Sequence, residues 1–181
     1  MASRYDDELW ELVPEGRRPP GDIYEEVASL APAQQALDLG CGDGAVSSAV
    51  RADRLTLADV SAVALDRARR RMPDAEAAEL EPDTPLPFAD GTFDLVVCTE
   101  TLEHVRDVQL FLSEVRRVLE PGGRLFVTTP AHGRRMAAPD PLSPHLRFLT
   151  KRSLRALLEG MGFGVDLLKR SGNGLFALAS R

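Results

Sequence analysis

Lysine is nearly missing from this chain of 181 residues: Lys151 and Lys169 are the two it has, and arginine supplies the rest of its positive charge. The skew reads as codon usage rather than chemistry. Basic residues are also outnumbered, 22 against 28 acidic, for a formal charge of −6. The chain therefore has no general attraction to phosphate backbones or anionic lipid, which counts against nucleic acid as a partner short of a local basic face. Cysteine is scarce as well. Cys41 and Cys98 each lie in or beside an apolar run, with neither disulfide nor zinc spacing, and read as reduced buried thiols in a reducing compartment. No run approaches the ~18 apolar residues that cross a bilayer. Met1 to Trp10 is charged and lacks an apolar signal core. The expectation is a soluble, cytoplasmic protein. Repeats and low-complexity segments are absent too. At this length one domain is expected, with 44% hydrophobic residues to build its core.

What is present alternates between two periods. Ser3 to Asp6 has capping-box spacing and opens a short helix with Tyr5, Leu9, Leu12 and Val13 on one face. Asp22 caps a second helix over Ile23 to Leu30. Strands are expected at Ala36–Leu39, Leu55–Ala58, Ala75–Leu80, Phe93–Cys98 and Arg124–Thr129. Helices are expected at Ala45–Val50, from Ser61 to Met72, at Asp107–Leu119 with Leu110, Phe111, Val115 and Val118 inward, and at Thr150–Met161. Pro121-Gly122-Gly123 reads as a turn. Val165–Lys169 and Leu175–Ala179 form a hairpin about Ser171 to Gly174.

Strands alternating with helices imply an α/β fold: a three-layer, Rossmann-like, seven-stranded sheet, mostly parallel with a C-terminal antiparallel hairpin. Residues 1–30 would form N-terminal helices or a lid, 36–130 a cofactor-binding core, and 131–181 a substrate-side loop, last helix and hairpin. Ligands of such sheets bind beyond the carboxyl ends of the strands, at the topological switch point. Five segments converge there: the glycine loop, Asp59, the Glu79 region, Thr99 to His104 and Thr129 to Gly133.

Gly40, Gly42 and Gly44 permit a tight strand-to-helix turn whose backbone can approach a ligand closely. Alone, this spacing also fits a dinucleotide fingerprint. Asp59 follows at the end of the second strand, where a carboxylate can accept hydrogen bonds from both ribose hydroxyls. Asp38 sits inside the first strand. A buried carboxylate is costly unless paired, and either a cationic amino acid moiety or loop amides would pair it.

Leu37-Asp38-Leu39-Gly40-Cys41-Gly42-Asp43-Gly44 closely resembles motif I of the class I S-adenosylmethionine-dependent methyltransferases. Pro85 to Val97, Glu100 to Val105 and Arg117 to Gly123 resemble later blocks of the same family, and the type 11 subgroup is the nearest match. The resemblance implies S-adenosylmethionine as cofactor and S-adenosylhomocysteine as product. It implies that Asp38, Gly40, Cys41, Gly42 and Gly44 meet the methionine part, Asp59 the ribose and Val60 the adenine. Glu79-Leu80 stands where the family has Asp-Leu against the adenine, with Asp83 a competitor amid Pro82, Pro85 and Pro87. Cys98 would offer its backbone carbonyl to the ammonium, and the first helix would act as a lid or as a plain packing helix.

A sulfonium methyl is already electrophilic, so an aligned nucleophile is the main requirement, with a general base for hydroxyl or protonated amine acceptors. His104, His132 and His145 are the candidates; each has a bland reading as a capping, solvated or anchoring histidine. Arg134 and Arg135 would suit an acidic substrate or stay solvated. A small-molecule acceptor, no metal and no membrane are expected, and oligomeric state is left open. Three other readings stand beside this one. Glu100-x-x-Glu103-His104 with His145 resembles the metal-ligand pattern of the Hen family of small-RNA 3′-terminal ribose methyltransferases. A nicotinamide oxidoreductase shares the glycine turn, and a non-catalytic cofactor-binding protein would look the same.

Overall fold

A computed structural model describes residues 2–16, 18–19, 21–131 and 145–181, with backbone alone for 2–5. Among the described residues seven strands form one sheet: β1 Ala33–Leu39, β2 Ala52–Asp59, β3 Glu76–Glu79, β4 Phe93–Thr99, β5 Leu119–Pro130, β6 Gly164–Ser171 and β7 Gly174–Ser180, ordered β3-β2-β1-β4-β5-β7-β6. β1 to β5 pair in parallel, and β7 runs antiparallel to both β5 and β6. The mostly parallel sheet with its closing hairpin is as expected. The chain reverses its order of travel between β1 and β4, so the carboxyl ends at Leu39, Asp59, Glu79 and Thr99 open on one edge.

β4 explains why the sheet needs cover on both faces. Leu95 and Val97 point to a cluster with Ile23 and Val27 of α2, Gly21–Ser29. Val96 and Cys98 point the other way, into a cluster with Leu112, Val115 and Val118 of α4, Val108–Val118, and Leu154 and Leu158 of α5, Lys151–Gly160. Successive strand residues alternate faces, so a run apolar at every position is buried on both. α3, Ala62–Arg71, covers β2 through Leu57, Leu65 and Ala68. Ser61 caps α3 by accepting from the Ala64 amide at 3.1 Å, and Asp107 caps α4 by accepting from the Gln109 and Leu110 amides. The proline-bearing approach to β4 is tied down by α4: Arg117 donates to the carbonyls of Leu86 and Phe88 and to Glu114 and Asp90.

Several local expectations are corrected. The helix α1 spans Ala2–Leu12, so Ser3 lies within it rather than capping it, and Leu12 is 67% exposed rather than inward. Asp22 lies in the first turn of α2 instead of before it. Ala45–Val50 makes only a 3-10 turn over Ser47–Ala49, because the Ser47 hydroxyl is drawn to Asp38 and Val50 is extended. In α4 Leu112 is fully buried together with the expected Val115 and Val118, while Leu110 is half-buried, which shifts the apolar face to 108, 111, 112, 115 and 118. Pro121-Gly122-Gly123 belongs to β5, which follows α4 without a break. The extra residues are absorbed in a register shift between Phe93 and Leu95.

Candidate active site

The glycine loop leaves β1 with Gly40, Gly42 and Gly44 all at positive φ, +78°, +54° and +74°. Its path is fixed from below by the Gly40 and Cys41 amides, which donate to the Ala58 carbonyl at 2.8 and 3.1 Å. It is fixed from the side by Asp59. One carboxylate oxygen accepts from the Gly42 amide at 2.8 Å and the other from the Ser61 amide at 3.0 Å. Burial raises the Asp59 pKa, against the pull of these amides. Asp59 thus joins the loop to the start of α3 at the carboxyl end of β2, where it is 7% exposed. Val60 beside it is half-buried, and the Asp59 carbonyl accepts from the Leu80 amide at 2.8 Å. Leu80 is buried and Glu79 exposed; Asp83 is exposed, at a positive φ of 56°.

Asp38 lies under the loop and is 1% exposed. One of its oxygens accepts from the Ser47 hydroxyl at 2.5 Å; the other has no hydrogen-bond partner. Burial pushes its pKa up to about 7, the Ser47 bond opposes this, and the Asp59 charge adds to it. The folded value lies above the ordinary carboxylate value of 3.8, so protonation favours the fold. That stability is present below pH 3.8 and is lost as pH rises through about 7. Asp38→Asn removes the titration. Relative to the parent, the variant is expected to gain roughly 2–3 kcal/mol between about pH 5 and about pH 8. Denaturant unfolding at both pH values measures this, and an equal difference at the two would contradict a neutral-preferring Asp38.

α1 reaches over this edge. A Cβ on Gly42 would lie 2.6 Å from the Trp10 ring, so the ring rests on the loop where glycine has no side chain. Asp7 accepts from the Ser61 hydroxyl at 2.7 Å and the Val63 amide at 3.2 Å. Burial, with Asp59 and Asp7 adding their charge, raises Asp6 to about 6.

The opposite wall is the segment after β4. The Cys98 side chain is buried among core residues, and burial pushes its thiol pKa up, as it does that of Cys41. Thr101 packs its side chain on Gly40, and its hydroxyl donates to the Thr99 carbonyl at 3.0 Å. Glu100 holds a positive φ of 52° while its carboxylate accepts from the Thr128 hydroxyl at 2.9 Å. Backbone strain of this kind is tolerated where the surroundings over-determine it, commonly at functional sites. Glu103 is 1% exposed, and neither of its oxygens has a hydrogen-bond partner. Burial and the Glu100 charge push it up to about 8.

His104 and His145 meet here, their ring centroids 4.9 Å apart and edge to face. Arg147 holds the two segments together by donating to the carbonyls of Leu102, Val105 and Arg106, and the Leu146 amide donates to the Glu103 carbonyl at 2.8 Å. His132, Arg134 and Arg135 lie outside the described residues. Trp10, Asp7 and Arg147 were not singled out for these contacts from sequence. Each acts across a long chain separation that no local pattern marks.

A family model described as "Methyltransferase domain" matches residues 37–127, half of the chain. A protein of Mycolicibacterium smegmatis named "Probable S-adenosylmethionine-dependent methyltransferase" is 33% identical over 150 residues, covering 80% of this chain and 57% of that protein. A demethylmenaquinone methyltransferase of Tropheryma whipplei is 36% identical over 109 residues, 59% of this chain and 46% of that one. The chain thus spans about half the length of these curated relatives. The crystal structure of a SAM-dependent methyltransferase from Aquifex aeolicus has the same fold, with a TM-score of 0.72, 20% identity and 96% of each chain covered. Glycine loop, strand order and family match agree: the chain belongs to the class I S-adenosylmethionine-dependent methyltransferases, in the type 11 subgroup.

Proposed function

We propose that this chain transfers the methyl group of S-adenosylmethionine to a small-molecule acceptor. The observation that carries the reading is Asp38: a buried carboxylate directly under a glycine cradle, with one oxygen unpaired. A cation above it would convert the cost of that buried charge into an attraction, and the donor's amino acid moiety carries an ammonium. The group fits the residues present. Asp38, the loop at Gly40, Cys41, Gly42 and Gly44 and the Cys98 carbonyl would hold the methionine part. Asp59 would hold the ribose, and Val60, Leu80 and either Glu79 or Asp83 the adenine. α1, with Trp10 on the loop, would close as a lid.

The bound donor supplies an electrophilic sulfonium methyl. The chain's part is to exclude water, to align the acceptor atom in line with that methyl and to take a proton where the acceptor is a hydroxyl or ammonium. His104 and His145 stand on the wall that would face an acceptor. A small acceptor agrees with the net charge of −6 and with the name of the Tropheryma relative. The two reduced thiols fit a cytoplasmic setting, and no helix among the described residues is long and apolar enough to cross a membrane.

Titration calorimetry with S-adenosylhomocysteine tests the donor half: saturable one-to-one binding is expected, and no heat at millimolar ligand would remove the reading. Incubation with labelled donor and cell extract tests the acceptor half, with label expected in the small-molecule fraction.

A further inference from the structure

We propose that Arg67, Arg70 and Arg71 of α3 form a binding site for a small phosphate-bearing anion beside the glycine loop, a site that the Glu15 carboxylate fills until the ligand displaces it. The three arginines stand at i, i+3 and i+4, so one face of the helix carries them all. With Glu15, Gly16 and Asp43 they line a recess of about 290 Å³. That is the lower end of the range for small-molecule pockets.

Three features favour a ligand over a solvated charged face. The first is the placement of the charges. Like charges at this spacing oppose one another. A helix C-terminus attracts cations, which accounts for Arg69, Arg70 and Arg71 in the last turn of α3, but Arg67 lies before that turn. Nor does that attraction aim three side chains into one recess. The second is unused capacity. A guanidinium has five N–H donors. Arg117 spends its donors on Leu86, Phe88, Asp90 and Glu114, which hold the fold. Among the described residues Arg67 donates to the Val13 carbonyl at 2.7 Å and Arg70 to Glu15 at 3.1 Å, one hydrogen bond each. Arg71 donates to the carbonyl and the carboxylate of Asp43, at 3.0 and 3.1 Å.

The third is a stand-in. Oε1 of Glu15 lies 3.1 Å from Nη2 of Arg70 and 3.7 Å from Nε of Arg67, a carboxylate seated between two guanidiniums. Its side chain is 67% exposed, and exposed ion pairs contribute little, so a stronger anion can take its place. Phosphate oxygens match the arginine fork as a carboxylate does, and they bring more charge. With Glu15 withdrawn, three guanidiniums face the single carboxylate of Asp43. S-adenosylmethionine has no phosphate, so this recess takes a different molecule, and the site does not depend on the function proposed above. A chain charge of −6 disfavours an anionic membrane surface as the source of the phosphate, so the ligand is one free in solution.

The test is titration calorimetry of the full chain with pyrophosphate, the ionic strength held constant with sodium chloride. Saturable one-to-one binding is expected. Arg70→Gln is expected to weaken it by at least about 10-fold, the worth of one hydrogen bond to a charged group. Glu15→Gln removes the internal competitor and is expected to tighten binding by about threefold. Arg69→Gln is the control. It removes the same charge from the same turn, but Arg69 pairs with Asp66 and does not line the recess, so binding within about twofold of the parent is expected once salt screens the general field. The side chains of Arg70, Glu15 and Arg69 are 61%, 67% and 47% exposed, so all three variants should fold, and thermal unfolding checks this. Absence of saturable heat overturns the proposal. So does binding unchanged in Arg70→Gln, which would put the anion elsewhere, or equal weakening in Arg69→Gln, which would mean charge attraction without a site. Glu15→Gln binding no tighter than the parent would equally overturn it, because the carboxylate would then not be holding the ligand's place.

Discussion

Asp59→Ala is expected to weaken S-adenosylhomocysteine binding by at least about 100-fold, with a much smaller change in stability. The carboxylate has two jobs. Toward the protein it accepts from the Gly42 and Ser61 amides, one per oxygen. Toward a ribose, in the role proposed above, it would offer the remaining lone pairs, with the low exposure that strengthens such bonds. Hydrogen bonds to a charged group contribute about 1.5–3 kcal/mol each, so losing two corresponds to roughly 10²–10⁴ in affinity. On the stability side, alanine leaves two amides unpaired but also removes a carboxylate whose pKa burial has raised, and the two effects oppose each other. Asp59→Asn retains the shape and one acceptor and is expected to fall between parent and alanine. Calorimetry on the three proteins, with thermal unfolding of each, measures both effects. Alanine binding within about threefold of the parent would show that the nucleoside sits elsewhere.

How far the sequence announced all this depends on the range of the interaction. β4 is apolar without a break from Leu95 to Cys98, a pattern that a strand covered on both faces needs, and Asp38 and Asp59 were placed by the boundaries of the first two strands. The same logic misled at Ala45–Val50. That segment has helical composition, yet the Ser47 hydroxyl bonds to the buried Asp38 nine residues earlier, and only a 3-10 turn forms. In α4 the choice between Leu110 and Leu112 was ambiguous because apolar residues occupy 108, 110, 111, 112, 115 and 118. The sheet decided it by taking 112. Glu103 and His145 were visible as residue types, but their meeting depends on Arg147 reaching back to carbonyls 41–45 residues earlier. No periodicity encodes that contact.

Gly40→Ala is expected to cost about 3 kcal/mol of stability, two mechanisms contributing. The residue holds φ at +78°, where a Cβ costs roughly 1–2 kcal/mol. The new methyl would also lie 2.4 Å from the Thr101 hydroxyl oxygen, 2.5 Å from its methyl and 3.0 Å from its Cβ, an overpacking that typically costs about 1–3 kcal/mol. The backbone cannot turn away, because the Gly40 and Cys41 amides both hold the Ala58 carbonyl. Nor can Thr101 withdraw freely, because its hydroxyl bonds to the Thr99 carbonyl and its Cβ is itself among the clashing atoms. For a chain of this length about 3 kcal/mol corresponds to a fall of roughly 6–12 °C in thermal midpoint. The double variant Gly40→Ala/Thr101→Ala separates the causes: removing the two nearest atoms should restore about 1 kcal/mol, and the torsional cost should persist. A single variant within about 0.5 kcal/mol of the parent would mean that the loop has room it does not use, and the tight cradle on which the proposed cofactor binding rests would have to be redrawn.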